Sequence, residues 1–111
     1  MCCEMVVESE SIVVEAGQPG ETSFVIADGE VEVATGGNRP VRLGPGEFFG
    51  EMSLLDGLPR SATVSAVSHT TLIAIDRATF RELLTSTPSI ALALLGVMSR
   101  RLRDRLPSPD A

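Results

Sequence analysis

Hydrophobic and polar positions change rhythm once along the chain. From Met5 to about Ile75, short β-type runs alternate with breaks rich in glycine and proline. Ile12-Val13-Val14 leads into the turn cluster Ala16-Gly17-Gln18-Pro19-Gly20, and Ser23 to Ala27 forms the next run. Asp28-Gly29 separates that run from Glu30-Val31-Glu32-Val33, whose alternation is strict. Asp-Gly between two such runs predicts a hairpin, because both residues tolerate the positive φ of a tight turn. Thr35-Gly36-Gly37-Asn38 predicts a further turn before Val41-Arg42-Leu43, and Gly44-Pro45-Gly46 another after it. Ala62 to Val67 and Thr71 to Ile75 are the last two runs. Many short strands at close spacing predict a β-roll, a jelly roll or a small barrel.

The spacing then becomes helical. Asp76 is a candidate N-cap for a helix from Arg77 to Thr85, with Phe80, Leu83 and Leu84 on one face. Thr87 is placed to cap a second helix, with Pro88 in the first turn where its missing N–H costs nothing. Ala91, Leu94, Leu95, Met98 and Leu102 keep the helical period, and Leu106 follows one turn on, before Pro107 and Pro109. Ile90 to Met98 is apolar nearly all round, so this helix is expected to be covered on more than one side. The predicted fold is mainly β: one domain over 1–111, a double-stranded, jelly-roll-like β-roll at about 5–75, and two C-terminal helices at about 77–85 and 88–106.

Length supports that reading, since 111 residues suit one small core. No apolar run approaches the roughly 20 residues that span a bilayer, and the N-terminus has neither a basic leader nor an apolar signal core. The expectation is a cytoplasmic protein with no membrane partner. A formal charge of -6 argues against direct nucleic-acid binding. The basic residues number nine, all of them arginine, and Arg100, Arg101, Arg103 and Arg105 crowd the second helix. Cations at a helix C-terminus answer the macrodipole and need no further explanation. An anionic ligand would therefore depend on a local arginine, and Arg60 is the candidate. Cys2 and Cys3 make neither a bridge nor a zinc site by themselves. His69 lies in a predicted turn and is given no role, and a single histidine cannot supply a cupin-like metal centre. No nucleophile–base pair is visible, so no catalysis and no cofactor are expected.

The chemistry concentrates in FGEMSLLDGLPRSATV, Phe49 to Val64. Gly50 lets the backbone approach a ligand closely. A short helix beginning at Met52, Ser53 and Leu54 would offer free N–H groups and a positive dipole end to a phosphate. Arg60 adds a permanently charged fork matched to two phosphate oxygens. Glu51 is acceptor-only, suited to a sugar hydroxyl. Charge-assisted contacts of roughly 1.5–3 kcal/mol each, with packing around a base, would give micromolar affinity, about 8 kcal/mol in all.

This run resembles the phosphate-binding cassette of the cyclic nucleotide-binding domain family: FGE, apolar residues, a short loop, then PR, small residues and Thr-Val. Gly17, Gly20, Gly29, Gly44 and Gly46 fall where that family has turn glycines, and the two helices resemble its B and C helices, so the likeness covers roughly Ile12 to Leu106. The resemblance implies that Glu51 accepts from the ribose 2′-hydroxyl and that Arg60 pairs with the cyclic phosphate. Gly50, Ser53, Ser61 and Ala62 would line the phosphate, and Arg101 would tie the C helix to the cassette glutamate. Val33 and Leu43 are expected to wall the base by strand alternation. Ser61, where cGMP-selective members often carry threonine, tilts the expected ligand to cAMP, with cGMP as the alternative. Arg105 and Leu106 stand where some members place base-capping hydroxyls. The family's N-terminal helical segment is not seen, and the chain is expected to be a free-standing module or part of a larger regulator. The expected function is a sensor signalling through its C-terminal helix to an effector, with a homodimer through Ile90 to Leu106. The alternative is a ligand-independent interaction or dimerisation module that keeps the fold. Arg60→Ala is expected to weaken binding strongly while sparing the fold.

Overall fold

The computed structural model of the chain describes the backbone of residues 2–34, 39–51, 54 and 57–105, and the side chains of these except 2 and 101–105. The predicted turn at 35–38 lies outside the described residues. Among the described residues the strands are β1 (Cys2–Val7), β2 (Ile12–Val14), β3 (Thr22–Asp28), β4 (Val31–Ala34), β5 (Val41–Leu43), β6 (Phe48–Phe49), β7 (Thr63–Ala66) and β8 (Thr70–Asp76). They form two four-stranded antiparallel sheets, ordered β1-β8-β3-β6 and β2-β7-β4-β5. Two helices follow, α1 (Arg77–Ser86) and α2 (Pro88–Arg105). The mainly β roll with two C-terminal helices is therefore observed.

Two strands were not legible as runs. β1 pairs with β8 from Cys2↔Ile75 to Val7↔Thr70, so the roll starts before Met5. Within it, Met5 and Val7 pack on the core while Glu4 and Val6 face solvent, the period-2 signature of a half-buried strand. β6 is only two residues, held by Phe24↔Phe49 and Val25↔Phe48 on β3.

The Asp28-Gly29 hairpin is corrected. β3 belongs to the first sheet and β4 to the second, so this dipeptide turns the chain from one sheet to the other. Gly29 has φ +92°, and a Cβ there would meet Thr70 Oγ1 at 2.5 Å. Thr70 is wholly buried; its hydroxyl donates to Ser68 O at 2.8 Å and accepts from Glu30 N at 3.2 Å. These bonds fix the corner, and a hairpin register would leave them unmade. The hairpin lies one step later, between β4 and β5, with Val31↔Leu43 and Val33↔Val41 opposed.

The core fills the space between the sheets with alternate residues from each: Phe24, Ile26, Phe49 and Leu72 from the first, Val31, Leu43 and Val64 from the second. Phe24 and Phe49 stack with centroids 5.1 Å apart, an aromatic pair worth about 0.5–1.5 kcal/mol beyond its buried area.

The chain divides into two compact units, residues 1–80 and 81–111. At the start of α1, Thr79 N donates to Asp76 Oδ1 at 2.8 Å, which makes Asp76 the predicted N-cap. In the second unit Thr87 separates the helices; its carbonyl accepts from Ile90 N at 2.9 Å, the bond that opens α2. Ala91, Leu94 and Met98 are half-buried, whereas Leu92 and Leu95 are exposed. Among the described residues no single helix is long and apolar enough to cross a membrane.

Candidate functional site

The site is assembled where β6 ends and β7 begins. Phe49 anchors the first side by pairing with and stacking on Phe24. Gly50 then takes φ +85°, a left-handed conformation that diverts the chain out of the strand. Glu51 and Leu54 are each helical and buried. Met52 and Ser53, both predicted at the site, lie outside the described residues. Gly57, Leu58 and Pro59 are exposed, and Arg60 returns to the interior with only 8% of its surface accessible.

Arg60 is held at both ends of its length. Its backbone is bonded to the β2–β3 turn, Arg60 N donating to Gln18 O at 2.8 Å and Gly17 N donating to Arg60 O at 2.9 Å. Its guanidinium donates from Nη1 to Gly50 O at 3.0 Å and from Nη2 to Thr22 O at 2.7 Å. The Cζ also lies 6.0 Å from the centroid of the Phe24 ring, within cation–π range. Burial lowers the Arg60 pKa from its ordinary value, and the charge of Glu51 acts in the opposite direction. A guanidinium so placed remains a cation at physiological pH. Glu51 is 3% exposed, so its carboxylate and the Arg60 cation share a region largely withdrawn from water. That closeness suits both, because an isolated buried charge is costly.

An open cavity of about 550 Å³ lies beside Arg60, lined by apolar Val13, Val14 and Phe24 and by Thr22, with the carboxylates Glu15 and Glu21 also on its lining. That volume lies within the range of small-ligand sites, about 300–1,000 Å³. Its lining mixes apolar side chains with one cation, Arg60, and two carboxylates, so any anion bound here would depend on Arg60.

The structure thus brings Gly50, Glu51 and Arg60 together. Ser61 follows Arg60 and is exposed, and Ala62 is buried. Leu43 is packed in the core and Val33 half-buried against it; neither lines the cavity at Arg60. Arg101 lies in α2, in the second unit, with its side chain outside the described residues. Sequence reasoning did not select Gly20, Thr22, Val13, Val14 or Phe24. Thr22 acts through its carbonyl, which every residue has, so no side-chain signal marks it. Thr63 was marked only as part of the Thr-Val pattern; its hydroxyl accepts from Ala16 N at 2.9 Å, pinning the same turn. Among the described residues no group of three or more His, Cys, Asp or Glu is placed to hold a metal ion.

Known proteins share this sequence pattern and fold. Residues 4–87 match the family described as cyclic nucleotide-binding domain. The chain is 46% identical over 85 residues to a cyclic nucleotide-gated potassium channel of Mesorhizobium japonicum, covering 77% of this chain and 23% of the channel. It is 40% identical over 93 residues to the cyclic AMP receptor protein of Thermus thermophilus, covering 79% of this chain and 43% of the receptor. The chain therefore spans well under half the length of these curated relatives. Among solved structures, the Thermus thermophilus catabolite activator protein matches with TM-score 0.82 at 33% identity, over 93% of this chain and 51% of that one. A protein from a cyclic-GMP-dependent signalling pathway in bacterial phytopathogenesis matches with TM-score 0.81 at 28% identity, over 94% and 86%. By its family match and its two-sheet roll, the chain belongs to the cyclic nucleotide-binding domain family.

Proposed function

We propose that the chain is a regulatory module that binds a cyclic nucleotide, cAMP in preference to cGMP, and relays occupancy through α2 to an effector. The observation that carries this reading is the buried Arg60 guanidinium, set against Gly50, under the charge of Glu51, and lining an open cavity that includes Val13, Val14 and Phe24. Arg60 pairs with the cyclic phosphate. Glu51 accepts from the ribose 2′-hydroxyl, while the N–H groups at Gly50, Ser53 and Ala62 and the Ser61 hydroxyl line the phosphate. The preference for cAMP rests on Ser61 and on the likeness to a cyclic AMP receptor protein. Relay requires that the ligand bind one arrangement of α2 better than another, since equal affinity shifts nothing.

A second reading is a ligand-independent interaction module. It draws on the two carbonyls that already occupy Arg60, and on Leu92 and Leu95, which present apolar surface. Calorimetric titration of the full chain with cAMP and with cGMP separates the two. Micromolar binding, about 8 kcal/mol, tighter for cAMP, is the expected result. No heat and no thermal stabilisation with either nucleotide would replace the sensor by the interaction module.

A further inference from the structure

We propose that Gly20 is a positioning residue for Arg60: its missing side chain is the space in which the guanidinium lies. The inference rests on the assignment of Arg60 to the cyclic phosphate, and it names what holds Arg60 in place. Sequence places Gly20 in a turn cluster, where glycine ordinarily serves a left-handed backbone. Its φ is not in that region, unlike those of Gly17 and Gly50. Conformation therefore does not demand glycine here. Space does. A Cβ on Gly20 would fall on Nε and Cζ of Arg60, and would lie 2.8 Å from its Cδ.

The surroundings determine what must yield. The turn carrying Gly20 cannot back away freely, because Arg60 N to Gln18 O and Gly17 N to Arg60 O fasten it to the Arg60 backbone. On the other side, a Cβ at Gly50 would meet Arg60 Nη1 at 2.8 Å and Thr22 O at 3.1 Å, so that wall is also close. The guanidinium thus lies in a slot between Gly20 and Gly50, aimed at two carbonyls. Of the atoms a Gly20 side chain would strike, all those nearest belong to the Arg60 side chain, which can rotate, rather than to the backbone. Displacement of Arg60 with retention of the roll is the consequence. Gly20 also isolates the effect of space, because Gly50 combines a close approach with a left-handed φ and any substitution there is strained twice.

The test uses the full chain as wild type, Gly20→Ala, Gly20→Val, Arg60→Lys and the double variants Gly20→Ala/Arg60→Lys and Gly20→Val/Arg60→Lys. Two readouts are taken: calorimetric affinity for cAMP and cGMP, and the side-chain Nε–H signal of Arg60 in ¹⁵N NMR without ligand, assigned by its loss in Arg60→Lys. Gly20→Ala is expected to move or broaden the Arg60 Nε–H signal, to preserve the dispersion of the β-sheet amides, and to weaken cAMP binding at least tenfold. Gly20→Val is expected to weaken it further, and each Gly20 change is expected to add little once Arg60 is already lysine. An unshifted Nε–H signal together with wild-type affinity in both Gly20 variants would overturn the proposal. Losses that simply multiply with that of Arg60→Lys would also overturn it. If the wild type binds neither nucleotide, the binding assignment fails. The NMR signal still decides whether Gly20 positions Arg60.

Discussion

Arg60→Ala in the ligand-free protein is the most direct check on how this site is built. Two charge-assisted hydrogen bonds disappear, at 2.7 Å to Thr22 O and 3.0 Å to Gly50 O, each worth about 1.5–3 kcal/mol. The buried Glu51 carboxylate also loses the cation beside it, and removing one partner of a buried pair costs about 3–5 kcal/mol. The two figures describe one guanidinium and overlap, so the expected loss is about 3–5 kcal/mol in total. A domain of this size has only about 5–15 kcal/mol of stability. The variant should therefore lose a large share of its stability and melt at least about 12 °C lower, taking about 4 °C per kcal/mol. Arg60→Lys keeps the charge without the planar fork and should fall between the two.

Urea denaturation followed by circular dichroism, without nucleotide, measures this. A midpoint for Arg60→Ala indistinguishable from wild type would refute the reasoning, since it would mean that the guanidinium contributes nothing to holding the fold. The expectation from sequence, that Arg60→Ala spares the fold, treated the residue as a ligand contact alone. The two carbonyls give it a second duty, and binding data for that variant need its stability measured beside them.

Two further outcomes follow from the same geometry. Glu51→Gln keeps the shape of a buried side chain but removes its charge, and it should weaken cAMP binding by the worth of one charged hydrogen bond, about 1.5–3 kcal/mol or roughly 10- to 150-fold in calorimetry. Thr70→Val conserves volume at a wholly buried position and strips the hydroxyl from Ser68 O and Glu30 N; it should cost about 1–3 kcal/mol in urea denaturation, with cAMP affinity unchanged because the corner at Gly29 lies outside the ligand cluster.

Legibility followed the range over which each signal acts. The strand runs and the Asp76 cap were readable because alternation and capping are local. The Asp28-Gly29 hairpin was misread because the dipeptide shows that the chain turns, not which sheet it turns into. That choice depends on Thr70, some forty residues away. β6 escaped because two residues carry no period. Gly50, Glu51 and Arg60 were legible as candidates because a side chain, or the lack of one, can be read directly from sequence. Thr22 was not, since its contribution is a carbonyl oxygen. Gly20 was read only as a turn glycine: sequence shows the residue, and the fold distinguishes one needed for its φ from one needed for its emptiness.

The carbonyl partners of Arg60 also bear on how a ligand would be felt. A guanidinium has five N–H donors; Nη1 donates to Gly50 O and Nη2 to Thr22 O. A phosphate taking two donors in a fork either uses the remaining N–H groups or draws Nη1 and Nη2 off those carbonyls. In the first case the β2–β3 turn stays as it is and binding gains the full contact. In the second, affinity falls by the bonds surrendered, while Thr22 and the turn fastened at Gly17 and Gln18 are released from one side. Amide hydrogen exchange over residues 17–23, with and without cAMP, distinguishes them. Unchanged protection means that the ligand uses spare donors. Faster exchange means that occupancy is read first at this turn.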